Sequence, residues 1–564
     1  MRKYISLTIT ALVLAISMVT GVCILAIPTA SDDMTSFSAT NALSHLKTIA
    51  AEPHSVFDTE AHEKVRLYIK ETLTDMGLTV REHNWTAEET GFTGALKDDG
   101  TLDKTKPIEY DIKNLWVEIP GKSKTGVLLM AHYDSRGHAA RPGEMPGSFG
   151  AGDDGFGVVT LLEMARLFAD VDKNNLETSI YICFTDAEET GMYGASLEAQ
   201  HNEIVKNNVN FVINVEARGV KGPAYMFESS KNNAKVIDLY NKASLPMTYS
   251  VATAVYSVMT NFTDFTTMLE IGKAGINFST LDNINYYHVP EDNLSNIDVN
   301  SIQHYGEQIL PIVNEYTSDA KYADMNYFVD TQDAVFFNIL PGVLAVYSES
   351  TAMVLSIVAI VAFVLAVILL KVKGLLSIRK MLLALVIILG TIIVSAVLGF
   401  AISYLTALIT GTTWNLTALR AFNAGIPFAV AFVIVLALEL LYCFKMFKSV
   451  KVTVNHLTAG VLINLVFAVL TTFVLAGTSF MFLWTALLGA VVLVFRALTG
   501  NCVINHILCS VTNAVAMLIF VPLLYSLFIA VTLGGLLALT LIFSFMLSVV
   551  LPTSFMQAKL GLTD

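Results

Sequence analysis

At 564 residues, with 54% hydrophobic and only 15% charged side chains, the chain is too long for one core and too apolar for an ordinary soluble protein. A formal net charge of −13 excludes the basic stripe that nucleic-acid binding needs, so no nucleic acid is expected as a partner. Five cysteines, of which only Cys183 lies away from the long apolar segments, exclude a disulfide scaffold.

Met1-Arg2-Lys3 precedes an apolar run over 5–27, about 23 residues and long enough to span a bilayer. A cleaved signal peptide would have a shorter core, so residues 1–30 read as a retained transmembrane signal anchor, with cleavage after Ala26 or Ala30 as the alternative. Nearly all the charge falls in the next segment, 31–330, where short apolar runs alternate with helix-period stretches in the manner of an α/β domain. Strands are predicted at 127–130, 179–184 and 211–215, with weaker ones at 226–227 and 276–278. Helices are predicted at 158–168, 232–243 and 301–316. Cys183, inside Tyr181-Ile182-Cys183-Phe184, reads as buried strand filler rather than a nucleophile.

Residues 331–350 form a juxtamembrane segment, amphipathic enough around 333–340 and Tyr347 to lie at the bilayer interface. Beyond it, 351–564 reads as an all-α transmembrane domain of about seven helices, near 352–370, 381–409, 425–444, 457–476, 479–496, 507–528 and 530–551. With the N-terminus inside, the inner loops and tail carry Lys371, Lys373, Arg379, Lys380, Lys445, Lys448, Lys451, Arg496 and Lys559, and the outer loops only Arg420. That alternation places both termini in the cytoplasm and the soluble domain outside it. Glu439 and His506 are the ionisable groups within these spans, and Glu439 is expected to snorkel or to pair with Lys445. No relay of carboxylates runs through the helices, which argues for an anchor rather than a transporter.

The soluble segment also carries, in order, His132-Tyr133-Asp134, Gly150-Ala151-Gly152-Asp153-Asp154, Glu188-Glu189, Glu216 and His288. His132, the Glu188-Glu189 pair and Glu216 each follow a predicted strand, where open α/β sheets present side chains into a crevice. Imidazoles and carboxylates are zinc ligands, and a metal pair needs a bridging carboxylate, ligands for each ion and a spare carboxylate to move protons. Singly these residues are unremarkable: adjacent glutamates are usually solvated, and a lone histidine is usually structural. His138, His201 and His304 lack this context and read as surface or packing residues. Tyr286 and Tyr287 are candidate oxyanion partners, and Arg218 a candidate for a substrate carboxylate.

These motifs, with His132-Tyr133-Asp134-Ser135, Asp186-Ala187-Glu188-Glu189-Thr190-Gly191, Asn214-Val215-Glu216-Ala217 and Tyr287-His288-Val289-Pro290-Glu291-Asp292 quoted in full, resemble the co-catalytic two-zinc aminopeptidase family. Its superfamily includes glutamate carboxypeptidases, transferrin receptors and glutaminyl cyclases. The resemblance covers most of 40–315 and implies a mixed, mostly parallel sheet sandwiched by helices and a cofactor of two Zn2+. It implies that Asp153 bridges the metals, with a cis Asp153-Asp154 peptide, that Glu189 and His288 complete one site, and His132 and Glu216 the other. It further implies Glu188 as general base towards a metal-bridging hydroxide and Asp134 as hydrogen-bond partner of His132, both therefore catalytic. Glu216 stands where many soluble members carry Asp, a departure that bears on the affinity of that site.

The order of anchor, peptidase domain and multi-span domain is similar to the vacuolar membrane protease and endoplasmic reticulum metallopeptidase group. A single block of membrane helices with no third soluble domain is a shorter layout than eukaryotic members have, and points to a bacterial cell membrane, a vacuolar or endoplasmic reticulum membrane being the alternative. The expected function is a membrane-anchored zinc exopeptidase, foremost an aminopeptidase acting on peptides outside the cytoplasm, with the lipid bilayer as its other partner. Alternatives are a carboxypeptidase or dipeptidase of the same mechanism, a one-zinc glutaminyl cyclase, and a non-catalytic peptide-capturing receptor or transport component. Oligomeric state is left open by the sequence.

Overall fold

A computed structural model describes residues 2–97, 102–137, 147–256, 261–417, 419–421, 423–446, 450–500 and 503–560. His138, Lys448 and Cys502 lie outside the described residues. The chain divides into two compact units. One comprises Met1–Leu25, Tyr249–Ala254 and Asp333–Asp564, the other Ala26–Thr248 and Val255–Gln332.

The second unit is built on strands β1 (Val80–Trp85), β2 (Thr93–Leu96), β3 (Leu102–Pro107), β4 (Ile112–Ile119), β5 (Gly126–His132), β6 (Ser179–Thr185), β7 (Val209–Ala217), β8 (Lys221–Ser229) and β9 (Ala274–Asp282). Seven of them form one sheet in the order β1-β4-β6-β5-β7-β9-β8, while β2 and β3 pair separately. The four central strands, β6, β5, β7 and β9, run parallel, and β4, β1 and β8 are antiparallel additions at the edges. The sheet is therefore mixed, parallel only where both faces are covered, and β5, β6 and β7 are buried at every position. One face packs Leu128, Met130, Tyr181, Cys183 and Val212 against Ala195 and Ala199 of the helix Tyr193–His201 and Phe265 and Met268 of the helix Asp264–Glu270. The helices Ala39–Ile49, Gly155–Phe168 and Val299–Ser318 pack together on the other. Cys183 is fully buried strand packing, as expected.

Among the described residues, the other unit holds eight helices long and apolar enough to cross a membrane, and the chain is a multi-pass membrane protein. The N-terminal helix Arg2–Cys23 packs against the helix Val503–Val531 and so is a member of the bundle. The last two helices run Val503–Val531 and Leu536–Leu560, separated by a tight turn at Leu533–Gly535, so the first extends beyond the predicted 507–528 at both ends and the second starts and ends later than the predicted 530–551. The juxtamembrane segment contains a hairpin that the sequence reading did not predict, β10 (Ala334–Leu340) paired antiparallel with β11 (Val343–Ser348). Pro341-Gly342 supplies its turn, with Gly342 at φ 70°. Tyr249 bridges Phe337, and Ser250 Oγ accepts the Phe336 N–H at 3.1 Å and lies 2.6 Å from the Gly477 carbonyl. Thus a short piece from the middle of the soluble sequence belongs to this unit, against the continuous 31–330 domain expected. Glu439 accepts the Ser544 hydroxyl at 3.0 Å, a partner on another helix.

Candidate metal centre

β5 and β6 pair in register up to His132 and Thr185, so the chain leaves both strands side by side. β7 lies on the other side of β5 and carries Glu216 at its penultimate position, inside the strand rather than after it. Three neighbouring carboxyl ends thus deliver His132, the Glu188-Glu189 turn and Glu216 to one place. The loop before the helix Gly155–Phe168 adds Asp153, and the loop after β9 adds His288. The Asp153-Asp154 peptide is cis. Ala187 (φ 59°) and His288 (φ 62°) hold left-handed backbone that residues with a Cβ rarely adopt, which aims the flanking side chains inward.

His132 Nε2 lies 3.3 Å from Asp153 Oδ1 and 3.6 Å from Glu216 Oε2. His288 Nε2 lies 3.1 Å from both Asp153 Oδ2 and Glu189 Oε1. Each triad places its donor atoms within 4.8 Å of one another, and Asp153 belongs to both. His132 Nε2, Asp153 Oδ2 and Glu189 Oε1 are buried with no hydrogen-bond partner. Orphaned polar atoms of this kind are costly unless something meets them. A divalent cation in each triad would meet all three, and a donor set of imidazole and carboxylate fits zinc.

The electrostatics ask for positive charge. Burial pulls the His132 imidazole down, but Asp134, Asp153 and Glu216 outweigh it and hold it well above its ordinary value. His288 is raised in the same way, against its burial, by Glu189 and Asp153. Glu188 belongs to neither triad and is half-buried. Burial pushes its carboxyl well above the usual carboxylate range, against the pull of His132 and with help from Glu216 and Glu189.

The supporting residues differ from the sequence reading in two ways. His132 Nδ1 lies 2.9 Å from the main-chain oxygen of Asp134 and 3.4 Å from its carboxylate. That carboxylate is instead the acceptor for the main-chain N–H groups of Glu188, at 3.0 Å, and Glu189, at 3.2 Å. Asp292, quoted in a motif without a role, accepts from Gly152 N at 2.6 Å, Asp153 N at 3.1 Å and Ser148 Oγ at 3.0 Å, and so clamps the Asp153 loop. Burial, then the charge of Asp153, pushes its carboxyl up to about 7. Arg136 and Asn214, which the sequence reading gave no role, bond Glu189 and Glu216. Tyr287 stacks on His288 with ring centroids 3.6 Å apart, and the Arg218 guanidinium lies 6.0 Å from the Tyr287 ring. His304 is buried packing and His201 is exposed, as expected of residues outside the site.

Residues 114–313 match the profile of Peptidase family M28. A vacuolar membrane protease of Candida dubliniensis is 27% identical over 283 residues, covering 50% of this chain and 28% of that protein. Its counterpart in Schizosaccharomyces pombe is 27% identical over 296 residues, 51% of this chain and 32% of the relative. The matched part of the chain thus spans under a third of either relative's length. Among solved structures, a Zn-dependent exopeptidase from Parabacteroides distasonis is similar at 21% identity and a TM-score of 0.38, over 51% of this chain and 99% of that one. A zinc aminopeptidase from Bacillus subtilis is similar at 17% identity and a TM-score of 0.39, over 51% and 97%.

Proposed function

We propose that this multi-pass chain, whose residues 114–313 match the profile of peptidase family M28, is a membrane-anchored zinc exopeptidase, foremost an aminopeptidase. The observation that carries the reading is two donor triads sharing Asp153, with buried atoms that have no hydrogen-bond partner, beside a carboxyl, Glu188, that neither triad uses. His132 and Glu216 would hold one zinc, Glu189 and His288 the other, and Asp153 both. Bound zinc supplies Lewis-acid chemistry, polarising a carbonyl and making water acidic enough to lose a proton near neutral pH. Glu188 takes the proton from the attacking water and returns it to the departing amine, a task suited to a carboxyl whose surroundings raise its proton affinity. Asp134 holds the Glu188 main chain, and Asp292 holds the loop of the shared ligand.

A free substrate amine is favoured by the carboxylates of Asp153, Glu188, Glu189 and Glu216, while Arg136, the guanidinium against them, is already bonded to Glu189. Arg218, one ring away from His288 across Tyr287, favours a second reading, a carboxypeptidase or dipeptidase that grips a substrate carboxylate. Positive charge in alternate loops supports a peptidase unit outside the cytoplasm with both termini inside. The membrane is proposed to be a bacterial cell membrane, with the vacuolar or endoplasmic reticulum membrane as alternative.

The test is hydrolysis of aminoacyl-coumarin and N-blocked peptide substrates by the detergent-solubilised chain, with and without chelator, beside Glu188→Gln. The expected result is chelator-sensitive release from free-amine substrates only, abolished in the variant while its zinc content is kept. Cleavage of blocked peptides from the carboxyl end moves the function to the second reading. Silence on every substrate with zinc bound overturns both and leaves a peptide-capturing receptor.

A further inference from the structure

The two outer carboxylates of the centre are held alike in geometry and unlike in charge. Glu216 turns Oε2 towards His132 and gives Oε1 to the Asn214 amide, which donates at 3.0 Å. Asn214 is itself fixed, since the same amide nitrogen donates to Asn277 Oδ1 at 3.1 Å, and Asn277 donates to Glu228 and Thr263 at 3.0 and 2.9 Å. Glu189 turns Oε1 towards His288 and gives Oε2 to Arg136, whose Nη1 donates at 3.0 Å and reaches the Glu189 main-chain oxygen at 2.8 Å. Each glutamate therefore offers the centre one oxygen, its second being bound by a neutral amide in one case and by a guanidinium in the other.

We propose that Arg136 is a positioning residue that makes the Asp153–Glu189–His288 triad the weaker of the two metal positions, the one that fills last and empties first. This rests on the two-metal reading above. The reasoning is electrostatic. The guanidinium draws charge from the carboxylate that should donate to the metal, and it sets a permanent cation near a dication, both of which weaken binding. It also aligns the carboxylate, which strengthens binding. Alignment comes from one hydrogen bond to a side chain that is nearly fully buried and already confined, with 4% side-chain exposure, whereas the guanidinium, 24% exposed, is only partly screened by solvent. Charge wins. At the other triad the neutral amide aligns Glu216 without that cost, so the longer glutamate serves as a one-oxygen ligand in a strong position.

The experiment is back-titration of the chelator-stripped, full-length protein in detergent with Zn2+ against a chromophoric competitor. Wild type, Arg136→Met, Arg136→Lys and His288→Ala are compared. The proposal expects two zinc ions per wild-type chain with distinct affinities, the weaker step disappearing in His288→Ala. Arg136→Met should tighten the weaker step by about 10-fold or more, opposite in sign to the loss usual when an outer contact is removed but on the same scale, and leave the tighter step unchanged. Arg136→Lys, which keeps the charge and loses the fork, should keep the gap. Retention of the tight zinc shows in each variant that the domain has folded. A weaker step unchanged or further weakened by Arg136→Met, with two zinc ions bound, overturns the proposal and leaves the two-metal reading standing. Uptake of fewer than two zinc ions by wild type overturns both.

Discussion

The carboxylate of Asp134, on the chain leaving β5, accepts the main-chain N–H of Glu188, on the chain leaving β6, at 3.0 Å, and that of Glu189 at 3.2 Å through its other oxygen. Two neighbouring strand ends are thereby locked in the register that carries both the unligated carboxyl and a metal ligand. A residue two positions from His132 therefore acts less on the histidine than on the turn opposite.

Asp134→Asn should consequently be worse than a loss of charge. An amide has one acceptor oxygen for two donors, so its NH2 faces an N–H and leaves a buried donor unpaired, at about 1–3 kcal/mol. The turn carrying Glu188 shifts, and kcat should fall about 100-fold, the scale of a 1 Å misplacement. KM and zinc content should change little. Unaltered kcat with unaltered melting would show that the turn holds itself.

Gly157 tests the loop on the other side. Its N–H donates to Asp154 Oδ1 at 3.1 Å, capping the helix Gly155–Phe168, while Asp154 Oδ2 accepts His132 N at 3.3 Å. A Cβ at 157 would lie 2.3 Å from Asp154 Oδ2. Alanine gains about 1 kcal/mol of helix propensity but drives the carboxylate out, losing a cap worth about 1 kcal/mol and adding overpacking of about 1–3 kcal/mol. The clash prevails, and Gly157→Ala should melt lower and lose activity at least as fast as stability. A variant that melts higher with full activity would mean the loop gives way freely.

Much of this was legible because burial on both faces leaves a plain signal. β5, β6 and β7 read as continuous apolar runs, and the helix Gly155–Phe168 as a helical period from 158 onward. β1, with Arg81, Glu82, His83 and Asn84 in six residues, gave no such pattern because an edge strand faces water on one side. The β10–β11 hairpin within the interfacial segment went unpredicted although Pro341-Gly342 between two apolar runs is a turn signal. Asp292, Arg136 and Asn214 were missed for a different reason. Their partners are a main-chain loop and two ligand carboxylates brought near by the fold, and no spacing in the chain encodes that. The inclusion of Tyr249–Ala254 in the membrane unit is equally tertiary.

His304 gives a pH dependence away from the metal ligands. Its Nδ1 accepts the Ala224 N–H at 2.9 Å and its Nε2–H donates to the Leu245 carbonyl at 3.1 Å, so the neutral ring is fully used. Burial pushes its pKa down from 6.5 to about 4. The unfolded chain therefore binds a proton that the folded one refuses. The stability is fully present above pH 6.5, is lost as pH falls towards 4, and levels off below, for a total of roughly 3 kcal/mol. His54 shifts in the same direction, so the effect of His304 is read as a difference. The melting gap between wild type and His304→Gln should shrink between pH 7.5 and 5. A gap that stays constant would mean that folding leaves the affinity of His304 for a proton unchanged.

Metal removal should act on the fold as well as on activity. Asp153, Glu189 and Glu216 crowd their oxygens around His132 and His288, and a cation would supply partners to the orphaned atoms among them. An ion that binds the folded chain alone stabilises it by RT ln(1 + [L]/Kd), about 2.7 kcal/mol at a hundredfold excess over Kd. Stripping with chelator should lower the melting temperature of the soluble unit by several degrees, and Zn2+ should restore it where Mg2+ does not, since magnesium prefers oxygen-only, largely hydrated sites. Double replacement of His132 and His288 by Ala should abolish the response to zinc while the membrane helices melt as before. A chelator-insensitive melt in wild type, with no zinc recovered from the protein, would mean that the triads hold no metal and that the carboxylates share protons instead.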